Sequence, residues 1–190
     1  MYDLIPPNMK AQFNLINKPN QSIKLLVDLT NKTSSKKDLQ DYKYNKIVIF
    51  KYSLALKNSH YVLNIYSNNT SKNHFEKTIL GSFIYDNSIK YSISEIIINT
   101  NKKIDLDPLV YGFLQKDFIY SIYKKNSTIT KYKTTFNLSN IYKSLLNSLN
   151  FLKELVTEPS NIIYPTTFAK KTYSQINKKS VNIVTLDKKK

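Results

Sequence analysis

The 190-residue sequence has no cysteine, no tryptophan and no arginine, and its two glycines are Gly81 and Gly112. Without cysteine this chain holds no disulfide, no thiolate metal site and no cysteine nucleophile, while the redox compartment stays open. All 29 basic residues are therefore lysines. They lack the planar fork that grips guanine or phosphate through two parallel hydrogen bonds. Neither glycine lies in a phosphate-binding loop, and two cannot build a nucleotide fingerprint. Long apolar runs are missing as well. Ile47 to Phe50 and Ile96 to Ile98 fall far short of the roughly 20 residues that cross a bilayer. Met1 to Pro7 shows no basic segment followed by an apolar one, so no secretory leader is expected. The expected setting is the cytoplasm, with no membrane partner.

The chain is 41% hydrophobic and long enough to bury a core, as one domain or one domain with part of another. Its net charge of +16 invites phosphate-bearing partners. Yet abundant Asn, Ile, Lys and Tyr beside absent Arg has the look of A- and T-rich codon usage. A lysine-solvated surface is the simpler reading, with nucleic-acid docking the alternative.

Ile23 to Leu29 reads as a strand followed by the loop Asn31 to Lys37. Lys46 to Tyr52 is β-branched and aromatic, as a buried strand should be. Tyr61 to Tyr66, Thr78 to Tyr85 and Ile93 to Ile98 give three more strands. From Asp107 the period changes: Asp107 as cap and Pro108 at the first helical position open a helix running to Tyr123. Lys131 to Phe136 is extended. Ser139 then caps a longer helix with Ile141, Leu145, Leu149, Leu152 and Val156 on one stripe. Thr167 to Ile176 is a last helix and Val181 to Leu186 a last strand. Strands mixed with helices of this length favour an α/β layer architecture.

Candidate chemistry is sparse. His60 and His74 are not part of a metal-binding helix motif, and surface or packed histidines explain them more simply. Asp105 and Asp107 read as a helix cap and its neighbour rather than an acid pair on a pocket wall. Glu154 and Glu158 lie one helical turn apart, both expected at solvent.

The most specific stretch is Leu155-Val156-Thr157-Glu158-Pro159-Ser160-Asn161, followed by Pro165 and Phe168-Ala169. A Leu-rich helix ends at Pro159, whose ring excludes the carbonyl four residues back, and Asn161 turns the chain. This stretch resembles the junction between the N-terminal and catalytic domains of the leucine (cytosol) aminopeptidase family. There the run is R-D-L-x-N-x-P-[AS]-N-x-x-x-P-x-x-[FY]-A. Lys153 stands where the family has Arg, and Thr157 where it has Asn. A second signal agrees: Gly112 is followed by Phe118, Tyr120 and Tyr123-Lys124 at the offsets of the family's G-x5-Y-x-F-x2-Y-K/R helix. Val181 to Asp187 is similar to its V-x-V-x-x-L-D strand.

The resemblance covers residues 105 to 187 and implies three parts. Residues 1–138 would form a macro-domain-like α/β domain, a mixed sheet flanked by helices. Residues 139–160 would be the linking helix and junction, with Lys153, Glu158, Pro159, Ser160, Asn161 and Pro165 as junction residues. Residues 161–190 would begin a truncated catalytic domain with its first helix and strand. Family members release N-terminal amino acids from peptides with two divalent metals, Mn or Zn, whose ligands include an N-T-D-A-E-G-R-L run. That run is not in this sequence. The resemblance thus implies a catalytically silent N-terminal part, with no catalytic and no metal residues of its own, and a share in the family's hexamer. The alternative is a repurposed binding or structural subunit whose Lys-rich surface docks on nucleic acid or a large assembly.

Overall fold

The computed structural model describes residues 9–15, 24–30, 39–57, 60–66, 73–93, 95–100, 105–118, 132–134, 136–176, 181 and 183–186. Seven strands form one mixed sheet: β1 (Met9–Leu15), β2 (Lys24–Thr30), β3 (Gln40–Tyr44), β4 (Ile47–Lys57), β5 (His60–Tyr66), β6 (Glu95–Thr100) and β7 (Tyr132–Thr134). Their order is β3-β4-β5-β2-β6-β1-β7. At the centre β2 runs parallel to β5 and β6, while β4 on β5 and β1 on β6 are antiparallel. Among the described residues the helices are α1 (His74–Lys90), α2 (Asp107–Lys116), α3 (Asn140–Thr157) and α4 (Pro165–Ile176). The chain divides into two compact units, residues 1–146 and 147–190, with the boundary inside α3.

The core of the first unit follows from strand periodicity. Successive side chains point to opposite faces, so Leu25, Val27 and Leu29 are buried while Leu26 and Asp28 between them are half-buried. Register sets Val27 beside Leu63 and Ile98, and Leu29 beside Ile65, which makes one face continuously aliphatic. Helix α1 contributes Ile79, Leu80, Phe83 and Ile84 to the same cluster, and α2 contributes Leu109, Val110 and Phe113. Each such side chain is worth about 1.5–3 kcal/mol when fully buried. Towards the β3 edge the filling becomes aromatic. Phe83 makes edge contacts with Tyr42, Phe50 and Tyr52 at ring-centroid distances of 4.8, 5.3 and 4.8 Å.

The α/β class expected from the sequence is the one observed, but several elements differ. Thr78 to Tyr85 is not a strand; it lies within α1. Its apolar residues fall at helical spacing, with Ile79, Leu80, Phe83 and Ile84 buried together. Asn73 caps the helix by accepting from Phe75 N at 3.0 Å, and its amide donates to Glu76 at 3.4 Å. The Gly112 helix is shorter than expected: α2 ends at Lys116, its N-cap is Leu106, and residues 119–131 lie outside the described residues. Lys46 is not in a strand but in the turn joining β3 to β4, where Asn45 and Lys46 take φ of 48° and 68°. A hairpin twist favours that left-handed pair, and Asn tolerates it better than most residues. Val181 and residues 183–186 form no strand.

Helix α3 is present over Asn140–Thr157. Ile141, Leu145, Leu152 and Val156 are exposed, Val156 by 85%, and Leu149 is half-buried. Tyr142 and Leu146 instead pack on the core of the first unit. Among the described residues, no helix is long and apolar enough to cross a membrane.

Candidate functional site

The two glycines of the chain each lie against the backbone of the other's helix. A Cβ on Gly81 of α1 would run into the backbone carbonyl oxygen of Leu109 and lie 2.8 Å from Phe113 N; a Cβ on Gly112 of α2 would run into the carbonyl of Thr78. Each glycine thus admits the other helix's backbone where any side chain would hold it off. The crossing is also hydrogen-bonded, with Ser82 Oγ donating to Gly112 O at 3.0 Å. Gly112 therefore has a packing role where α2 meets α1. Phe118, from the same signature, is half-buried just past α2, and Tyr120 and Tyr123 lie outside the described residues.

A polar cluster gathers where α1, α2 and α3 begin. Asp105 accepts from Asp107 N at 3.1 Å, and Asp107 in turn accepts from Ser139 N at 3.2 Å. Asp105 thus holds the backbone of the first residue of α2, while Asp107 anchors the approach to α3. His74 Nδ1 lies 2.8 Å from the hydroxyl of Tyr142, whose ring contacts Tyr111 at a centroid distance of 5.6 Å. Lys77, 4% exposed, donates to the carbonyl of Asp105 at 3.1 Å. The two carboxylates are held by backbone donors, Asp107 N on Asp105 and Ser139 N on Asp107. Among the described residues no three His, Asp or Glu side chains come together as a metal site.

Tyr142 holds its proton above the ordinary value of 10.0, chiefly through burial, then through Asp105, Asp107 and Tyr111. Tyr42 is raised likewise by burial and by Asp86. Both favour the neutral phenol when folded, so their contribution is intact below pH 10.0 and is lost as pH rises through the folded values. The Tyr42→Phe, Tyr142→Phe double variant should lose less stability between pH 9 and 11 than the parent, read as urea midpoints across that range. Identical alkaline slopes would contradict this.

In the second unit, the residues read from the sequence as a junction include a buried carboxylate, Glu158. Lys153 is half-buried on α3, Thr157 ends that helix with its hydroxyl on the carbonyl of Lys153, and Pro159 stops it. Ser160 and Asn161 are exposed in the turn, where Ile162 N and Ile163 N donate to Pro159 O at 2.9 and 3.0 Å. Pro165 is the first residue of α4, and Thr167 Oγ1 accepts from Tyr164 N at 2.9 Å to close its start. Glu158 corrects the expectation of solvent exposure. Its side chain is 3% exposed and pairs through Oε1 with Lys171 of α4. The second oxygen, Oε2, is buried without a hydrogen-bond partner. The signal available in the sequence was spacing: a glutamate before the helix-breaking proline and a lysine within the next helix. On the far side of α4, Pro165, Ala169, Lys170, Tyr173 and Leu186 line an open groove of about 460 Å³.

No family model matches this sequence. No solved structure matches it. Two curated proteins are similar, each described as probable cytosol aminopeptidase, from the Gardel and Welgevonden strains of Ehrlichia ruminantium. Each is 28% identical over 124 residues, covering 57% of this chain. The chain spans about a quarter of the length of these relatives, the match taking in 25% of each. This likeness supports, at that level, an aminopeptidase-like relationship.

Proposed function

We propose that this chain is the non-catalytic N-terminal part of a leucine aminopeptidase-like protein. Residues 1–138 correspond to the macro-domain-like domain, residues 139–160 to the linking helix and junction, and residues 161–190 to the start of the catalytic domain. The observation that carries the reading is the match to probable cytosol aminopeptidases over a quarter of their length. The order of Gly112, the Glu158 to Asn161 junction and Pro165 supports it. In the full protein, two Mn or Zn ions would polarise the scissile carbonyl and activate a water, giving release of N-terminal amino acids. Hexamer formation and a cytoplasmic location belong to the same proposal.

The reading predicts silence from this chain alone. Incubated with a leucyl amide and added Mn²⁺ or Zn²⁺, the 190 residues should show no turnover above the metal blank. Robust hydrolysis that survives repurification would refute it. The net charge of +16 carries a second reading, a binding subunit on nucleic acid. Its mark is affinity that falls steeply with added salt, as lysine contacts release counterions from phosphate.

A further inference from the structure

The hairpin at one edge of the sheet carries large apolar side chains at its tip, where turn residues are ordinarily small and polar. Strand β3 is the edge strand, and its register with β4 sets Tyr44 opposite Ile47 and Lys43 opposite Val48. Opposed residues of an antiparallel pair share a face, so Tyr44 and Ile47 point to one side and Lys43 and Val48 to the other. The ring of Tyr44 meets that of Phe75, the second residue of α1, edge-on at a centroid distance of 5.7 Å. Tyr44, Ile47, Val48 and Phe75 are all exposed, Ile47 by 67% and Phe75 by 54%. Single apolar side chains on a surface are ordinary, but these four gather around one turn.

Lysines accompany them. Lys43 and Lys46 are exposed beside the apolar residues, and among the described residues no carboxylate pairs with either. The acids of the hairpin and of the first turn of α1 are already engaged: Asp41 lies 3.8 Å from Lys51, and Glu76 accepts from the Asn73 amide at 3.4 Å. An apolar wedge flanked by unpaired lysines matches the boundary of an anionic bilayer. Aliphatic and aromatic groups enter the acyl region, a tyrosine sits at headgroup level, and lysine stems reach back to the anionic headgroups. The phosphates of a nucleic acid would meet the lysines and leave Ile47 and Val48 unsatisfied. We propose that the tip of the β3–β4 hairpin, together with Phe75, is a docking surface for an anionic lipid bilayer, lying on the membrane without crossing it. The expectation of no membrane partner rested on the lack of a spanning segment and of a leader, and peripheral docking requires neither. The net charge of +16 adds long-range attraction to the same surface. This inference is independent of the aminopeptidase reading.

The test is co-sedimentation of the 190-residue chain with vesicles of phosphatidylcholine and phosphatidylserine in equal parts, against vesicles of phosphatidylcholine alone. Because the chain has no tryptophan, Ile47→Trp reports the tip without background. The parent should bind the anionic vesicles and not the neutral ones, and the emission of Ile47→Trp should move to the blue on binding. Ile47→Asp and Phe75→Asp should each weaken binding about tenfold or more. Ile89→Asp makes the same change of charge at an exposed site near the other end of α1 and should bind as the parent does. All three positions are exposed, so thermal midpoints should stay close to the parent value; if Phe75→Asp melts early, Ile47→Asp and Ile47→Trp decide. Absent binding to anionic vesicles overturns the proposal. So does binding with equal affinity in all variants and no blue shift, which is adsorption by net charge alone. Variants that change the sedimenting mass of the free protein, or its affinity for duplex DNA, while vesicle binding stays the same would assign the tip to a second copy or to nucleic acid, and likewise overturn it.

Discussion

Gly112→Ala should destabilise the first unit by about 2–4 kcal/mol, against a total stability of order 5–15 kcal/mol for a domain. In an ordinary helix interior the same change gains about 1 kcal/mol, because alanine restricts the unfolded chain and favours the helix. The sign is reversed here by the neighbour. The new methyl group would occupy the space of the Thr78 carbonyl, a backbone atom inside α1 that cannot rotate aside. Relief requires moving α1 and α2 apart, which opens gaps beside Phe113 and Ile84 and stretches the Ser82 to Gly112 hydrogen bond. Gly81→Ala meets the Leu109 carbonyl and should cost a similar amount. Once either substitution has separated the helices, the second clash is partly relieved. The double variant should therefore fall short of the sum of the singles. Thermal unfolding of the four proteins decides it: each kcal/mol shifts the midpoint by roughly 2–4 °C at this chain length. A midpoint that rises in Gly112→Ala would mean that the helices do not cross at the glycines.

That crossing also shows where sequence reasoning stopped. Gly112 could be singled out by its offsets to Phe118 and the tyrosines beyond, but Gly81 sits 31 residues earlier in a run of β-branched and aromatic residues. Thr78 to Tyr85 has strand composition, and local propensity is a weak prior that tertiary packing overrides. The stronger evidence was spacing and capping. Ile79, Leu80, Phe83 and Ile84 repeat with a helical period, and Asn73 stands three residues before Glu76 at the point where the helix begins. A glycine in the middle of a strand pattern is a warning of close backbone approach, and that is the role Gly81 has.

The central strands were legible because their aliphatic runs are buried from both neighbours. Ile23 to Leu29, Tyr61 to Tyr66 and Ile93 to Ile98 overlap β2, β5 and β6, the parallel trio. The edge was harder to read. Strand β3 is the polar pentapeptide Gln40–Tyr44, whose apolar contribution is Tyr42 on Phe50. Its turn carries no glycine to announce it. The α3 stripe shows the opposite limit, for periodicity identifies an apolar face without saying what meets it. Ile141, Leu145, Leu152 and Val156 form the stripe, yet Tyr142 and Leu146 make the contact with the first unit's core. Likewise, Glu158 beside a helix-ending proline looks solvated until α4 folds back and brings Lys171 to it.

Lys171→Met should weaken the second unit far more than Glu158→Gln, and that asymmetry is the informative result. Removing the lysine leaves a carboxylate whose side chain is 3% exposed, with one oxygen already lacking a partner and the other newly orphaned. Breaking a buried pair in this way costs about 3–5 kcal/mol where both charges are buried. The Lys171 side chain is 34% exposed, which allows some water to reach the pair, so about 2–3 kcal/mol is expected here. Removing the negative charge instead leaves a lysine that can turn to solvent and an amide of the same shape as the carboxylate, a loss of about 1 kcal/mol. The Glu158→Met, Lys171→Met double variant discards both desolvation costs and should be more stable than Lys171→Met alone. Amide exchange of residues 165–176 reports the second unit separately from the sheet. Equal acceleration of exchange in Lys171→Met and Glu158→Gln would mean that Glu158 is solvated and that the ion pair does not fix α4 to the end of α3.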